Sequence, residues 1–103
     1  MALRSRLELQ TLLESILGSR NVYFQPPSSI RMSYPCIVYS RESIDTRFAD
    51  DKPYSHDIRY QVTVIDRNPD SEIPFRILSL PKCTHSRTFP ADDLNHNVFT
   101  LYF

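Results

Sequence analysis

Residues 58–65 read IRYQVTVI, and this run carries the clearest secondary-structure signal in the chain. Apolar and polar side chains alternate along it. Successive side chains of a β-strand point to opposite faces, so this alternation is typical of a strand with one buried face. The face expected in the core carries Ile58, Tyr60, Val62 and Val64, and the other face carries Arg59, Gln61, Thr63 and Ile65.

Two amphipathic helices are predicted on either side of the central strands. The first has an apolar stripe at helical spacing, formed by Leu9, Leu12, Leu13, Ile16 and Leu17. Gly18 follows where a left-handed C-terminal cap is favoured. In the second helix, Ser71 is a candidate cap, Pro74 suits the first turn, and Pro81 ends the helix. Its stripe comprises Ile73, Ile77 and Leu80.

The remaining strands are predicted from shorter apolar runs. They are residues 21–24, 36–41, 83–89 and 97–103, the last two joined by a polar connection over residues 90–96. Each helix is apolar on one side only, which favours packing on one face of the sheet. The sequence therefore predicts a single α+β domain over residues 1–103. It has an antiparallel or mixed sheet of four to five strands, with two helices on one face.

Composition limits the functional classes. The chain has twelve basic and twelve acidic residues and a single glycine, Gly18, against eight prolines. Nucleic-acid binding through phosphates favours a basic surplus, so specific nucleic-acid binding is not expected. Phosphate-binding loops need several glycines, which excludes that chemistry. No run of apolar residues is long enough for a membrane span, and the charged N-terminus does not resemble a signal peptide. We therefore expect synthesis in the cytoplasm and no membrane contact.

Candidate catalytic and metal-binding groups are sparse. Cys36 and Cys83 are expected to be free thiols, because disulfides are rare in cytosolic proteins. Cys83 and His85 would lie on one side of a strand, and His96 could join them, but no paired zinc motif is present. The Asp50–Asp51 and Asp92–Asp93 pairs and His56 lie in polar stretches. No catalytic residue, metal or cofactor is predicted, and small hydrolase or thiol chemistry is the least favoured alternative.

Residues 43–54, SIDTRFADDKPY, form the most unusual segment. They separate two predicted strands, although hairpin loops typically need only two to five residues. Charges of both signs surround the aromatic Phe48. Two interpretations remain open: an arm that contacts a partner, or an extended pair of strands with an ordinary tip.

Four motifs together resemble the tail-terminator, or tail-completion, proteins of siphophages and related prophages. They are residues 34–39 (YPCIVY), 49–54 (ADDKPY), 59–66 (RYQVTVID) and 95–103 (NHNVFTLYF). The resemblance covers nearly the whole chain. It implies a sheet with two helices, assembly into a ring, usually a hexamer, and a structural role in the virion without enzymatic activity, cofactor or metal.

The resemblance also implies partners and a location. The ring would cap the tail tube at its head-proximal end, contacting further copies of the chain, the tail-tube protein and the head–neck connector. Residues expected at these interfaces are Leu3, Leu7, Ile44, Arg47, Phe48, Asp50, Asp51, Lys52 and Tyr102. Leu3 and Leu7 lie beside the apolar stripe of the first helix, where they either widen its buried face or contact a neighbour. The alternatives to a tail terminator are a neck or head–tail connector subunit and a cytosolic binding module.

Overall fold

The computed structural model describes residues 6–49 and 52–103, and the side chains of residues 6–46 and 57–103. In chain order the elements are α1 (Arg6–Leu17), β1 (Val22–Phe24), β2 (Cys36–Ala49), β3 (Lys52–Asp66), α2 (Ile73–Leu78), β4 (Cys83–Ala91) and β5 (Leu94–Tyr102). The fold is α+β, as predicted.

The described strands form one mixed sheet in the order β1-β2-β3-β5-β4. The short β1 pairs in parallel with β2, and all other neighbours are antiparallel. β3 is central and pairs with β2 on one side and with β5 on the other. The run that gave the strongest strand signal therefore lies in the middle of the sheet, where one of its faces is buried.

Both helices pack on the same face of the sheet. The core contains Leu9, Leu13 and Leu17 of α1 and Ile73 and Ile77 of α2. The sheet contributes Val22, Ile37, Tyr39, Ile58, Tyr60, Val62, Val64, Phe99 and Leu101. We call this the helix side of the sheet and the opposite side the helix-free face. The predicted face of β3 is confirmed, and Ile16 and Leu80 are only partly buried against the core.

The first helix ends as predicted. Gly18 has a φ of 81°, and its N–H donates to the carbonyl oxygen of Glu14 at 2.9 Å. A left-handed residue after the last helical turn is the usual place for glycine, which adopts a positive φ without a Cβ clash. Leu7 is 64% exposed, so it does not widen the buried face of α1.

The second helix is shorter than predicted. It ends at Leu78, before Pro81, and Glu72 occupies its N-cap position without a side-chain capping bond. The Ser71 hydroxyl still accepts a hydrogen bond from the N–H of Ile73 at 3.3 Å, so it reaches the first turn from one position further out.

The predicted polar connection over residues 90–96 is wrong. β4 continues to Ala91 and β5 begins at Leu94, which leaves a turn of only Asp92 and Asp93. Both aspartates have positive φ, 52° and 62°. Two consecutive residues of positive φ are what a tight hairpin turn of matching twist requires, and aspartate tolerates this conformation better than most residues.

Candidate functional site

β2 and β3 extend far beyond the rest of the sheet. They have 14 and 15 residues, whereas strands in globular proteins commonly have five or six. β1 pairs only with residues 37–39 of β2, and β5 pairs only with residues 59–66 of β3. Residues 44–49 and 52–58 therefore form a two-stranded ribbon, which we call the arm. Each strand of the arm has an outer edge without a neighbouring described strand.

Contact of residues 43–54 with a partner stays a prediction, but the conformation of residues 43–49 and 52–54 matches the second interpretation, an extended pair of strands. These residues are not a long loop, because the strands pair as far as Ala49 with Lys52. The polar composition reflects a ribbon that leaves the body of the sheet. At its base, Ile44 pairs with Ile58 on the helix side. Ile58 is buried, but Ile44 is 55% exposed, because the core does not extend over it.

A cavity of about 300 Å³ lies beside the base of the arm on the helix-free face. It is lined by Asp45, Asp57, Lys82 and Tyr102. Asp45 and Asp57 are direct cross-strand partners. Two carboxylates in this position repel each other. One ammonium group, that of Lys82, lines the same cavity.

Arg59 lies next to this cavity, at the point where the arm joins the body of the sheet. It is the cross-strand partner of Tyr102, and its Nε lies 3.3 Å from Oε2 of Glu42 in an ion pair without hydrogen-bond geometry. A hydrogen bond with the Tyr102 side chain raises the pKa of Arg59, and the nearby Glu42 carboxylate also contributes. Arg59 is therefore positively charged at every physiological pH.

The opposite end of the helix-free face is basic and aromatic. The Arg87 guanidinium lies over the Phe89 ring, 5.2 Å from its centroid. Phe89 in turn stacks on His96, with the ring centroids 4.8 Å apart and the planes inclined by 10°. Arg87 pairs with Val98, and Val98 with Thr63, which lies between the core residues Val62 and Val64. This alternation assigns Arg87 to the helix-free face.

Several large apolar side chains are exposed away from the arm. Phe75 and Leu78 lie one turn apart on α2, and Phe75 is 73% exposed. Leu7 on α1 and Ile30 before β2 are also exposed. Exposed large apolar groups on a small domain often mark contacts with other proteins.

The predicted interface residues do not form one continuous group. Tyr102 lines the cavity on the helix-free face, Ile44 lies on the helix side of the arm base, and Leu7 is exposed on α1. Leu3, Asp50 and Asp51 lie outside the described residues, as do the side chains of Arg47, Phe48 and Lys52. Sequence reasoning did not include Asp57, Lys82, Arg59, Arg87 and Phe75 among the site residues.

The candidate metal and thiol groups do not converge. Cys83 and His85 share the helix side of β4, as predicted, since they pair with the core residues Leu101 and Phe99. His96 stacks on Phe89 on the other face. The described residues contain no cluster of three or more histidine, cysteine or acidic side chains placed to hold a metal ion.

Both thiols are free in the structure. Cys36 is buried, and burial raises the pKa of its thiol to about 11. Burial also raises the pKa of Cys83, which is partly exposed. A raised pKa disfavours the thiolate, which is the reactive form of cysteine.

His85 belongs to a short hydrogen-bonded chain. Its Nε2 lies 2.8 Å from the Thr88 hydroxyl, which donates to Oδ1 of Asn97 at 2.7 Å. Because the threonine proton is directed to asparagine, the hydroxyl accepts from histidine. An activated nucleophile would instead donate its proton to the imidazole.

Neither the models of known protein families nor the curated proteins contain a match to this chain. Within the described residues, no helix has the length and apolar character needed to cross a membrane.

Proposed function

We propose that this chain is a structural virion subunit that caps the phage tail tube as an oligomeric ring and forms the joint to the head–neck complex. Its partners in this proposal are further copies of the chain, the tail-tube protein and the connector, and its role is assembly without catalysis. The observation that carries the proposal is the arm.

Contact with a partner would stabilise the arm. A lone two-stranded ribbon in water is at best marginally stable, because it pairs only two strands and has little apolar surface to bury. Fixing each residue costs about 1 to 2 kcal/mol of backbone entropy. Contact with a neighbouring subunit would add strand or side-chain contacts along the two outer edges. The molecule is elongated, with extents of 51 Å along its longest axis and 25 and 22 Å along the others.

Two further observations support an assembly role. The fold, a sheet with two helices on one face, agrees with the architecture that the resemblance to tail-terminator proteins implies. Exposed apolar side chains occur at both Ile44 and Phe75, on the arm and on α2 respectively. A ring subunit needs two different contact surfaces, one for each neighbour, because its contacts are heterologous.

The test uses substitutions on the arm. We expect Phe48→Ala and Arg47→Glu to leave the unfolding midpoint of the isolated subunit nearly unchanged, since both positions lie on the arm. Loss of an aromatic anchor at an interface commonly costs about 2 kcal/mol or more of binding. A loss of about 2 kcal/mol corresponds to about thirtyfold weaker binding. Complementation of a terminator-deficient phage extract with limiting amounts of the purified variants should therefore give about thirtyfold fewer completed tails. Arg20→Glu is the matched control, because Arg20 is exposed in the turn after α1.

Full complementation by both variants would refute the arm as an assembly element, and failure of the unaltered chain would refute the terminator function itself. Electron microscopy of the products distinguishes a tail terminator from a head–tail connector. Without a terminator the tail tubes should lack a cap at the head-proximal end, whereas without a connector capped tails should form that do not join heads.

A further inference from the structure

The two edges of the sheet body differ in how their backbone groups are satisfied. At the β1 edge, the N–H of Val22 donates to the carbonyl oxygen of Arg20 at 2.8 Å, and the carbonyl oxygen of Val22 accepts from Nε2 of Gln10 at 3.0 Å. Where β1 ends, Oε1 of Gln25 accepts from the N–H of Arg41 on β2 at 3.2 Å. Residues of the same chain therefore close this edge against a further strand.

The opposite edge, along β4, is open. The N–H of Tyr102 donates to the carbonyl oxygen of Lys82 at 3.2 Å, so the backbone groups of Lys82 face β5. Every second residue of an antiparallel pair faces its neighbour, hence Cys83 and His85 face outward, and beyond the bulge that follows His85 so does Thr88. Within the described part of the chain, no hydrogen bond reaches the outward N–H and C=O groups of these three residues.

An open edge of this kind is unusual, because natural sheets commonly protect their edges against pairing with other chains. In β4 the end near the hairpin turn is protected by Pro90, which has no N–H to donate. The bulge adds twist but leaves the outward groups of residues 83–88 accessible. One edge of the sheet is thus closed and the other can still accept a strand.

The arm offers a strand with a matching open edge. The N–H of Phe103 donates to the carbonyl oxygen of Ile58 at 3.1 Å, so the backbone groups of Ile58 face β5. Its cross-strand partner Ile44 must then face the outer edge of the arm. Because the side chain of Ile44 is 55% exposed, an outward backbone and an apolar side chain occur together at this position.

The faces of the two strands also agree. Ile44 lies on the helix side of the arm, and Cys83 and His85 lie on the helix side of β4. Directly opposite residues of a hydrogen-bonded pair share a face of the sheet. Pairing Ile44 of one copy with either β4 residue of another therefore keeps the helices of both copies on one face. Ile44 would then lie near Cys83, which packs against the core.

We propose that the outer edge of β4 accepts the β2 strand of the arm from a second copy of this chain, so that one sheet continues through both. The inference rests on the proposed ring function and names one of its subunit contacts. Strand addition at an open edge takes its affinity from backbone hydrogen bonds. The arm and β4 lie at different places on the chain, so the contact is head-to-tail, and it closes a ring when the rotation per subunit divides the circle.

Proline substitutions test the backbone pairing directly. His85→Pro and Ile44→Pro each remove one outward N–H, and proline cannot donate to a strand ladder. Sedimentation velocity over a range of concentrations should show each variant associating at least about tenfold more weakly than wild type. His85→Ala and Ile44→Ala are the matched controls, because they shorten the same side chains and keep the N–H. Equal losses in the alanine and proline variants would overturn the proposal.

A mixture of the two proline variants identifies the strand that binds to β4. The His85→Pro chain keeps an intact arm and the Ile44→Pro chain keeps an intact β4 edge, so an equimolar mixture should form dimers and nothing larger. If β4 paired with β4 of another copy instead, Ile44→Pro alone would associate as wild type does. His56→Pro, on the other strand of the arm, should behave as wild type.

Hydrogen exchange of the unaltered chain gives a readout that needs no substitution. The amides of Ile44, His85 and Thr88 should exchange rapidly in dilute solution and become protected at concentrations where the chain associates. The amide of Thr84, which faces β5, should be protected under both conditions.

The proposal is overturned if wild type stays monomeric at millimolar concentration, if either proline variant associates as wild type does, or if the outward amides stay unprotected in the associated state. These outcomes differ from failure of the proposed function. If His85→Pro still completes tails in the phage extract, the ring function stands and this contact is wrong. If wild type does not complete tails, the ring function itself fails.

Discussion

Two buried tyrosines offer the sharpest test of the packing, because they share one environment and differ in hydrogen bonding. Tyr39 on β2 and Tyr60 on β3 are both fully buried on the helix side, and their ring centroids lie 6.1 Å apart. The Tyr39 hydroxyl donates to Oε1 of Gln10 at 2.6 Å and accepts from Nη1 of Arg6 at 3.2 Å. No described residue forms a hydrogen bond with the Tyr60 hydroxyl. Replacing each tyrosine by phenylalanine therefore removes the same atom with opposite consequences.

Tyr39→Phe should be clearly destabilising. The hydroxyl stays protonated at neutral pH, since burial raises its pKa, and it joins α1 to the sheet through Gln10, whose Nε2 donates to the carbonyl oxygen of Val22. Loss of two hydrogen bonds, one of them to a charged group, costs about 1 to 3 kcal/mol. For a domain of this size, each kcal/mol corresponds to about 4 to 8 °C in melting temperature. We therefore expect a decrease of about 5 to 20 °C.

Tyr60→Phe should be neutral or stabilising, because it removes a buried hydroxyl that gains no hydrogen bond from the described chain. An unsatisfied buried group costs about 1 to 3 kcal/mol, so the change in stability should lie between zero and a gain of about 3 kcal/mol. Thermal and urea unfolding of both variants, followed by circular dichroism, measure the difference. Equal losses in the two variants, or a larger loss for Tyr60→Phe, would refute the assignment of the hydrogen bonds.

Two other predictions concern the thiols and the hairpin turn. In the folded protein at pH 8, iodoacetamide should modify the partly exposed Cys83 first and Cys36 only after unfolding. A thiol with a pKa of about 11, as in Cys36, is thiolate in about one molecule in a thousand at this pH. Mass spectrometry of the singly modified protein identifies the modified cysteine, and early modification of Cys36 would contradict its burial. Asp93→Gly should raise the free energy of unfolding by about 0.5 to 1 kcal/mol, because glycine adopts the φ of 62° at that position without strain, whereas Asp93→Val should lower it.

The body of the fold could be predicted because its signals are local. One-sided burial produces an alternation in residues 58–65 and a stripe in α1, and both are visible without knowledge of the partner element. The cap at Gly18 is equally local. The turn at Asp92 and Asp93 was missed because it has no glycine or asparagine, the residues that usually mark such turns.

The sequence left the arm open between a partner-binding segment and an extended pair of strands, for a physical reason. Periodic hydrophobicity records one-sided burial, and the arm leaves the core at Ile58, so only Ile44, Phe48 and Tyr54 are large apolar residues from which a strand could be recognised. The cavity was missed for a different reason. Asp45 and Asp57 meet only through the register of β2 and β3, which is shifted between Arg41 and Ser43. No sequence spacing reveals that shift.

The residues that stabilise the fold and the residues proposed for assembly lie in different parts of this chain. The main core cluster lies on the helix side of the sheet, between β3 and the two helices, whereas the contacts proposed for assembly lie on the arm and at the outer edge of β4. Phe48→Ala and Arg47→Glu change two positions of the arm beyond its base. Their effect on association can therefore be measured without a matching change in unfolding. Conversely, Tyr39→Phe should weaken folding while leaving the residues of the arm unchanged. A variant from either group that altered both properties together would show that the arm and the core are energetically coupled, which this separation excludes.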